Sequence, residues 1–296
     1  MLQADAGIIG FQAPATRKPS IMLNDIAVLL PVDRPAGPLI DCAAAVAGLF
    51  EAHLDGIACA YQAINPMIAF EASAVVMAAQ YETGQEQAAV VLDQFEITTR
   101  RLNIPHDAKS TFNVSYAATR TVTELSRLYD LNIVAQPDSS NPSQTDFLSE
   151  AVLFGSGRPM LMIPYINRGT FKSDRVLICW DGKASAARAV HNAAPFLRKA
   201  KAIDVVTINE HEDTVGEASL AAFIAHLTRR DLPATPHRLT ADAANVHNAI
   251  LSLAADNDSD LIVMGGYGHS RLREFILGGV TRGMFETLTV PALISH

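Results

Sequence analysis

The sequence predicts an α/β protein of two tandem doubly wound domains, each a five-stranded parallel sheet with helices on both faces. Three observations predict it. Strand-like and helix-like hydrophobic periods alternate along the chain. The strand runs, such as "LIVM", are apolar almost throughout, as burial on both faces requires. The pattern also occurs twice: "IAVLLPVD", ending at Asp33, matches "RVLICWD", ending at Asp181, half a chain apart, and "LNIVAQ" from Leu131 matches "DLIVMGG" from Asp260. Each of the second pair is followed by a proline-marked apolar run, "GRPMLMIP" and "LTVPALIS". This organisation gives an N-terminal extension over 1–21, a first domain over 22–166 and a second over 173–296, joined at the polar, glycine-containing "NRGTFKSD".

The second half is the clearer. Residues 176–180 read as a buried strand, and "ASAARAVHNAAPFLRKA" as a helix with Ala187, Val190, Ala194 and Leu197 on one face. "AIDVVTIN" is a strand. "GEASLAAFIAHLTRR" is a helix with Leu220, Phe223, Ile224 and Leu227 inward, its closing arginines suited to a helix C-terminus. "ATPHRLT" reads as a weak strand, "DAANVHNAILSLAADN" as a helix capped by Asp242, "DLIVMG" as a strand, "GVTRGMFETL" as a helix and "VPALIS" as the last strand. In the first half "IAVLLPVD" is followed by a helix over "PAGPLIDCAAAVAGLFEAHLD", a strand over "GIACAYQAI" and a helical region over 67–102, broken near "ETGQ". "STFNVSY", "AATRTVTELSRLYD", "LNIVAQ" and "TDFLSEAVLFGSG" then supply strand, helix, strand and helix. The two closing strands are apolar and belong at sheet edges, which need cover.

Composition narrows the function classes. With 49% hydrophobic and 18% charged residues, the 296-residue chain can bury a substantial core. A formal net charge of −8 argues against wide contact with a phosphate backbone, so no nucleic-acid partner is expected. Cys42, Cys59 and Cys179 sit in separate apolar runs and suggest neither a disulfide framework nor a zinc knuckle, as in a reducing compartment. The first twenty residues carry an acidic residue early and their basic pair late, the reverse of a secretory signal. The most apolar long stretch, 57–79, is interrupted by Asn65, Pro66 and Glu71, so no membrane span is expected and a cytoplasmic protein is.

The segment "MGGYGHSRLREFILGG", 264–279, follows the strand "LIVM". Ligands settle beyond the carboxyl ends of the strands of such sheets, where the strand order reverses. Glycines at 265, 266 and 268 remove every Cβ along the turn and let backbone N–H groups approach an anion. Gly278 and Gly279 open a helix whose first N–H groups lack internal partners and whose dipole end is positive. The familiar phosphate motifs do not fit. There is no Walker-type loop, Arg271 stands where a dinucleotide fingerprint needs its third glycine, and the segment follows the fourth strand of its half rather than the first.

These residues resemble the universal stress protein family in its tandem form. The family's nucleotide-binding spacing, glycine, two residues, glycine, nine residues, glycine, then serine or threonine, is met by Gly265, Gly268 and Gly278, while Gly279 replaces the hydroxyl residue. The resemblance also covers "GHSR" after the loop's start, the strand-end Asp181 and Met264. It implies an adenine nucleotide alpha hydrolase-like fold and a regulatory or protective protein that binds ATP or AMP, with or without magnesium, and commonly dimerises. The implied nucleotide-binding residues are Asp181, Met264, Gly265, Gly266, Gly268, His269, Ser270, Arg271, Gly278, Gly279, Val280 and Thr281. Asp181 equally suits capping the helix near Ala184. The missing hydroxyl at 279 costs a hydrogen bond of about 1 kcal/mol, which Ser270 or Thr281 can offset. His269, Arg271, Arg273 and Arg282 lie beside the phosphates, and Arg271 is the preferred contact.

The first half keeps Asp33, but after "IVAQ" it reads "PDSSNPSQTDFLSEAVLFGSG", without a glycine until Gly155 and with Pro137 and Pro142 lacking N–H donors. One nucleotide site per chain, in the second half, is therefore expected. The resemblance implies that the closing strands pair between halves as a dimer within one chain, with a homodimer of chains also open. No catalytic constellation emerges: the histidines at 191, 226, 237 and 247 lack metal-protease spacing, and "GSGRP" around Ser156 is not a nucleophile elbow. The expectation is a ligand-biased switch and a weak ATPase at most; the alternative is an enzyme with slow ATP hydrolysis or one acting on an adenylated substrate.

Overall fold

The computed structural model describes residues 22–62, 74–138, 140, 146–167, 170–210, 218–266 and 279–296. The first half runs β1 (Asp25–Pro31), α1 (Gly37–Phe50), β2 (His53–Gln62), α2 (Ala74–Arg101), β3 (His106–Val114), α3 (Ser115–Ser126), β4 (Leu131–Ala135), α4 (Asp146–Gly155) and β5 (Met160–Ile163). The second runs β6 (Arg175–Cys179), α5 (Ala184–Asn192), α6 (Ala194–Leu197), β7 (Ala202–Ile208), α7 (Leu220–Thr228), β8 (Thr235–Leu239), a 3-10 turn (Ala243–Asn245), α8 (Val246–Asp256), β9 (Leu261–Gly265), α9 (Gly279–Thr287) and β10 (Ala292–Ser295).

The strands form one ten-stranded sheet in the order β3-β2-β1-β4-β5-β10-β9-β6-β7-β8. Each half contributes a parallel run, and the halves meet where β10 lies antiparallel to β5, with Leu293 opposite Leu161. The two apolar closing strands thus cover each other's edges. Alternation along each strand sends side chains to opposite faces. In β1, Ile26, Val28 and Leu30 belong to the core cluster that runs under α1, α2, α5 and α7, whereas Ala27 and Leu29 belong to the one on the other face, with α3, α4, α8 and α9. On the second face, Leu148, Val152 and Leu153 of α4 share a cluster with Met284 and Phe285 of α9, so one core runs across both halves.

Several local expectations are corrected. Helix α1 ends at Phe50 and β2 already begins at His53, because Glu51 takes a left-handed conformation, φ 54°, that stops the helix. Strand β3 begins at His106, earlier than "STFNVSY" suggests, in register with β2 from Leu54 onward. Helix α2 does not break at "ETGQ": Thr83 bonds back to the Ala79 carbonyl at 3.0 Å, and the 28-residue helix absorbs the roughly 1 kcal/mol cost of Gly84. The helix over 184–197 does break, since Pro195 lacks an N–H and its ring opposes the carbonyl four residues back. Its buried stripe is Ala186, Ala189, Ala193, Phe196 and Leu197; Ala187 is exposed. Six alanines among these 14 residues leave the helical phase open in the sequence, and the bulk of Phe196 marks the buried side. Asp242 stands at the N-cap of the 3-10 turn but makes no side-chain capping bond. No helix among the described residues is long and apolar enough to cross a membrane.

Candidate functional site

The strand order of the second half reverses between β6 and β9: β6 leads through α5 toward β7, and β9 leads through α9 toward β10 on the other side. Their carboxyl ends therefore bound a crevice of the type that holds ligands in open parallel sheets. Asp181, Met264, Gly265, Gly266, Gly279, Val280 and Thr281 lie around or near it. Gly268, His269, Ser270, Arg271, Arg273 and Gly278 lie outside the described residues.

Asp181 stands two residues beyond β6 with its side chain 48% exposed. Its Oδ1 accepts the Lys183 N–H at 3.0 Å, and Oδ2 lies 3.4 Å from the Lys183 ammonium. Lys183, not Asp181, occupies the N-cap of α5, and no side chain caps it. The carboxylate therefore shapes the turn and still faces solvent. Gly182 between them has φ +71°, and an added Cβ would stand 3.2 Å from the Ala218 carbonyl oxygen, so glycine is favoured there twice over.

At the end of β9, a Cβ on Gly265 would come within 2.6 Å of the Ala186 backbone nitrogen. The bare turn is thus what lets the N-terminus of α5 close onto the strand. Gly266 would meet Ile294 at 3.1 Å and Leu153 of α4 at 3.2 Å, which places a first-half helix directly against the start of the loop. Gly279, where α9 begins, has nothing among the described residues within 4 Å of an added Cβ. Met264 is buried in the core beside Met284, so its side chain belongs to packing there. Val280 is half-buried, Thr281 is 3% exposed, and Arg282 is tied to Glu286 at 2.9 Å along the outer face of α9.

The corresponding crevice in the first half is filled. Arg34, which follows Asp33 as Gly182 follows Asp181 in the sequence repeat, reaches Asp146 at the start of α4 with a 2.6 Å bond, and these side chains are 12% and 19% exposed. A cavity of only about 20 Å³, room for about one water molecule, remains beside Arg34, Leu148 and Ser149. The second guanidinium nitrogen, Nη1, is buried there without a hydrogen-bond partner. Gln136, in the position of Gly266, donates through Nε2 to the Phe285 carbonyl of α9 at 2.9 Å and accepts from the Tyr165 N–H at 3.2 Å. Sequence reasoning missed Arg34, although "VDRPAG" set against "WDGKAS" displays a charge where the other half has glycine. It also missed Trp180, whose ring stacks on Phe223 with centroids 3.9 Å apart and whose indole N–H donates to the Ala218 carbonyl at 2.9 Å. Cys42 and Cys59 are buried as expected, and burial pushes the Cys59 thiol up to about 12, leaving it protonated.

The model of the universal stress protein family matches residues 172–296. A universal stress protein of Synechocystis sp. is 27% identical over 121 residues, covering 40% of this chain and 41% of that protein. Another, from Methanocaldococcus jannaschii, is 35% identical over 48 residues, 16% of this chain and 30% of that protein. These alignments therefore span well under half the length of either curated relative. A universal stress protein structure from Archaeoglobus fulgidus superposes with a TM-score of 0.69 at 17% identity, covering 91% of this chain and 97% of that one. A functionally unknown protein from Pseudomonas aeruginosa gives 0.58 at 15% identity, covering 92% of each chain. At those identities the superpositions speak to fold alone, and they extend it over both halves. Residues 172–296 are therefore a domain of the universal stress protein family, and the fold of such a protein extends over both halves of the chain.

Proposed function

We propose that this stress-protein-like chain is a cytoplasmic regulatory or protective protein whose second half binds one adenine nucleotide, ATP or AMP. The observation that carries the reading is the bare strand end at Gly265, closed onto the N-terminus of α5 and set beside a solvent-facing Asp181 across the switch point. A carboxylate there suits the base and ribose side of a nucleotide as a hydrogen-bond acceptor. Backbone N–H groups from Gly265 to Thr281, with the positive end of α9, suit the phosphates. Arg271 is the proposed side-chain contact to them. The first half contributes no second site, because Arg34 and Gln136 occupy the corresponding space.

The same contacts offer a route for the signal. Leu153 packs on Gly266 and Gln136 bonds to α9, so a ligand that favours one arrangement of the loop shifts the packing of the first half with it. Purified protein incubated with ATP, washed and extracted for chromatography of the nucleotide tests this reading. We expect one intact nucleotide retained per chain. Rapid conversion to ADP or AMP would replace the switch with an enzyme, and an empty extract after incubation with either ATP or AMP would remove the site.

A further inference from the structure

At the opposite end of the first-half sheet, three side chains converge on one point. His53 and Asp55 are two apart on β2 and so share a face, and Asp107 on β3 lies directly opposite Asp55 in the parallel register. The His53 Nε2 atom is 3.0 Å from Asp55 Oδ1 and 3.3 Å from Asp107 Oδ2, and the three donor atoms all lie within 4.8 Å of one another. A single ring nitrogen carries at most one proton, yet here it faces two carboxylates, which a divalent cation would satisfy together.

The support behind these groups is also built for coordination. Asp55 is nine-tenths buried and its two oxygens are divided: Oδ2 accepts from the Lys109 ammonium at 2.6 Å and from the Tyr129 hydroxyl, while Oδ1 is turned toward His53. Such outer partners fix the orientation of a metal-ligating carboxylate. Two ligands about 2.1 Å from zinc stand roughly 3.0–3.4 Å apart in octahedral to tetrahedral geometry, which brackets both observed separations. Asp107, 80% exposed, leaves the outer side of the site open to water as a further ligand. The second half lacks the arrangement. Its register puts Ala202 in place of His53 and Thr235 in place of Asp107, although Asp204 keeps a basic neighbour in His237 at 2.7 Å. His53 and Asp107 are therefore additions to a shared aspartate, in the half whose switch point is plugged.

We propose that His53, Asp55 and Asp107 bind one divalent transition-metal ion of the zinc class, tying β2 to the edge strand β3. The imidazole favours zinc or cobalt over magnesium or calcium, which prefer oxygen ligands alone. The test uses the full chain, stripped with a chelator and kept free of nucleotide, titrated with ZnCl2 by calorimetry and followed by thermal unfolding. One zinc per chain and a raised Tm are expected, with affinity lowered at least tenfold in both His53→Ala and Asp107→Asn, and no such response to MgCl2. Asp107 is exposed enough for its variant to fold, which circular dichroism checks. CoCl2 in place of zinc is expected to give a visible absorption band that His53→Ala abolishes. Absence of zinc binding, or zinc binding unchanged in both variants, overturns the proposal.

Discussion

The two halves share a strand order and differ at the place where that order reverses. In the second half the carboxyl ends of β6 and β9 carry Gly182, Gly265 and Gly266, and the neighbouring chain closes directly onto them. In the first half the strand end carries Ala135 and Gln136 and the turn after β1 carries Arg34, which contribute an ion pair and an amide bridging to the other half. One architecture thus supports a ligand crevice or a structural joint, and three side chains separate the outcomes. The comparison teaches that duplication preserves the sheet far more strictly than it preserves the strand ends, because the sheet rests on many apolar contacts and the strand ends on a few residues that lack or carry a side chain.

The largest expected effect probes the plug. Arg34→Ala removes one side of a mostly buried ion pair, and we expect about 3 kcal/mol of lost stability by urea denaturation. The double replacement Arg34→Met with Asp146→Leu should recover most of it, since both charges leave together and apolar groups fill the space. A loss in the double variant equal to that in Arg34→Ala would show that the pair does more than fill space.

Next comes the strand end. Gly265→Ala forces a Cβ against the Ala186 backbone, so it should cost about 2 kcal/mol and weaken nucleotide binding. Ala135→Gly, the converse change in the first half, should cost only about 0.5–1 kcal/mol. Equal costs would erase the distinction between the two strand ends.

A pH effect probes Asp55 at the far end of the sheet. Burial pushes the Asp55 carboxyl upward, but hydrogen bonds from Lys109 and Tyr129, the Lys109 charge and the His53 bond outweigh it and hold it below the ordinary value of 3.8. A carboxyl depressed in the folded state contributes stability that is present above its unfolded value and is lost as pH falls through the folded one. Stability should therefore decline below about pH 4 partly through Asp55, and Asp55→Asn should be destabilised at neutral pH with a shallower acid decline. An unchanged acid limb in that variant would place the titration elsewhere.

The smallest effect concerns Gly279. With no atom of the described residues near its missing Cβ, Gly279→Ser should fold as the parent does and, by restoring a hydroxyl at the start of α9, raise nucleotide affinity about fivefold, roughly 1 kcal/mol. Weaker binding instead would mean that the space is needed by the ligand.

Much of this was legible in the sequence, and the gaps have physical causes. Strand identity and order followed from apolar runs and the repeated aspartates, since burial on both faces leaves little choice of residue. Helix phase failed over α5 and α6, where alanine populates every face and only Phe196 of α6 carries enough area to decide. The break expected at "ETGQ" did not occur, because one glycine is a weak local term in a helix of 28 residues. At the site, the glycines at 265 and 266 were legible as positions that need a bare backbone, but the neighbours that close onto them, Ala186, Ile294 and Leu153, were not. The role of Arg34 was not, because its partner Asp146 lies 112 positions away and only the fold joins them. The cluster of His53, Asp55 and Asp107 escaped for the same reason: its ligands come from two strands, and no sequence spacing marks them.

Isothermal titration of the intact chain with ATP and with AMP tests the central claim most directly. The account predicts a single site per chain, abolished by Asp181→Ala and retained in Asp33→Ala. Two sites, no heat with either nucleotide, or binding that survives Asp181→Ala but not Asp33→Ala would contradict it.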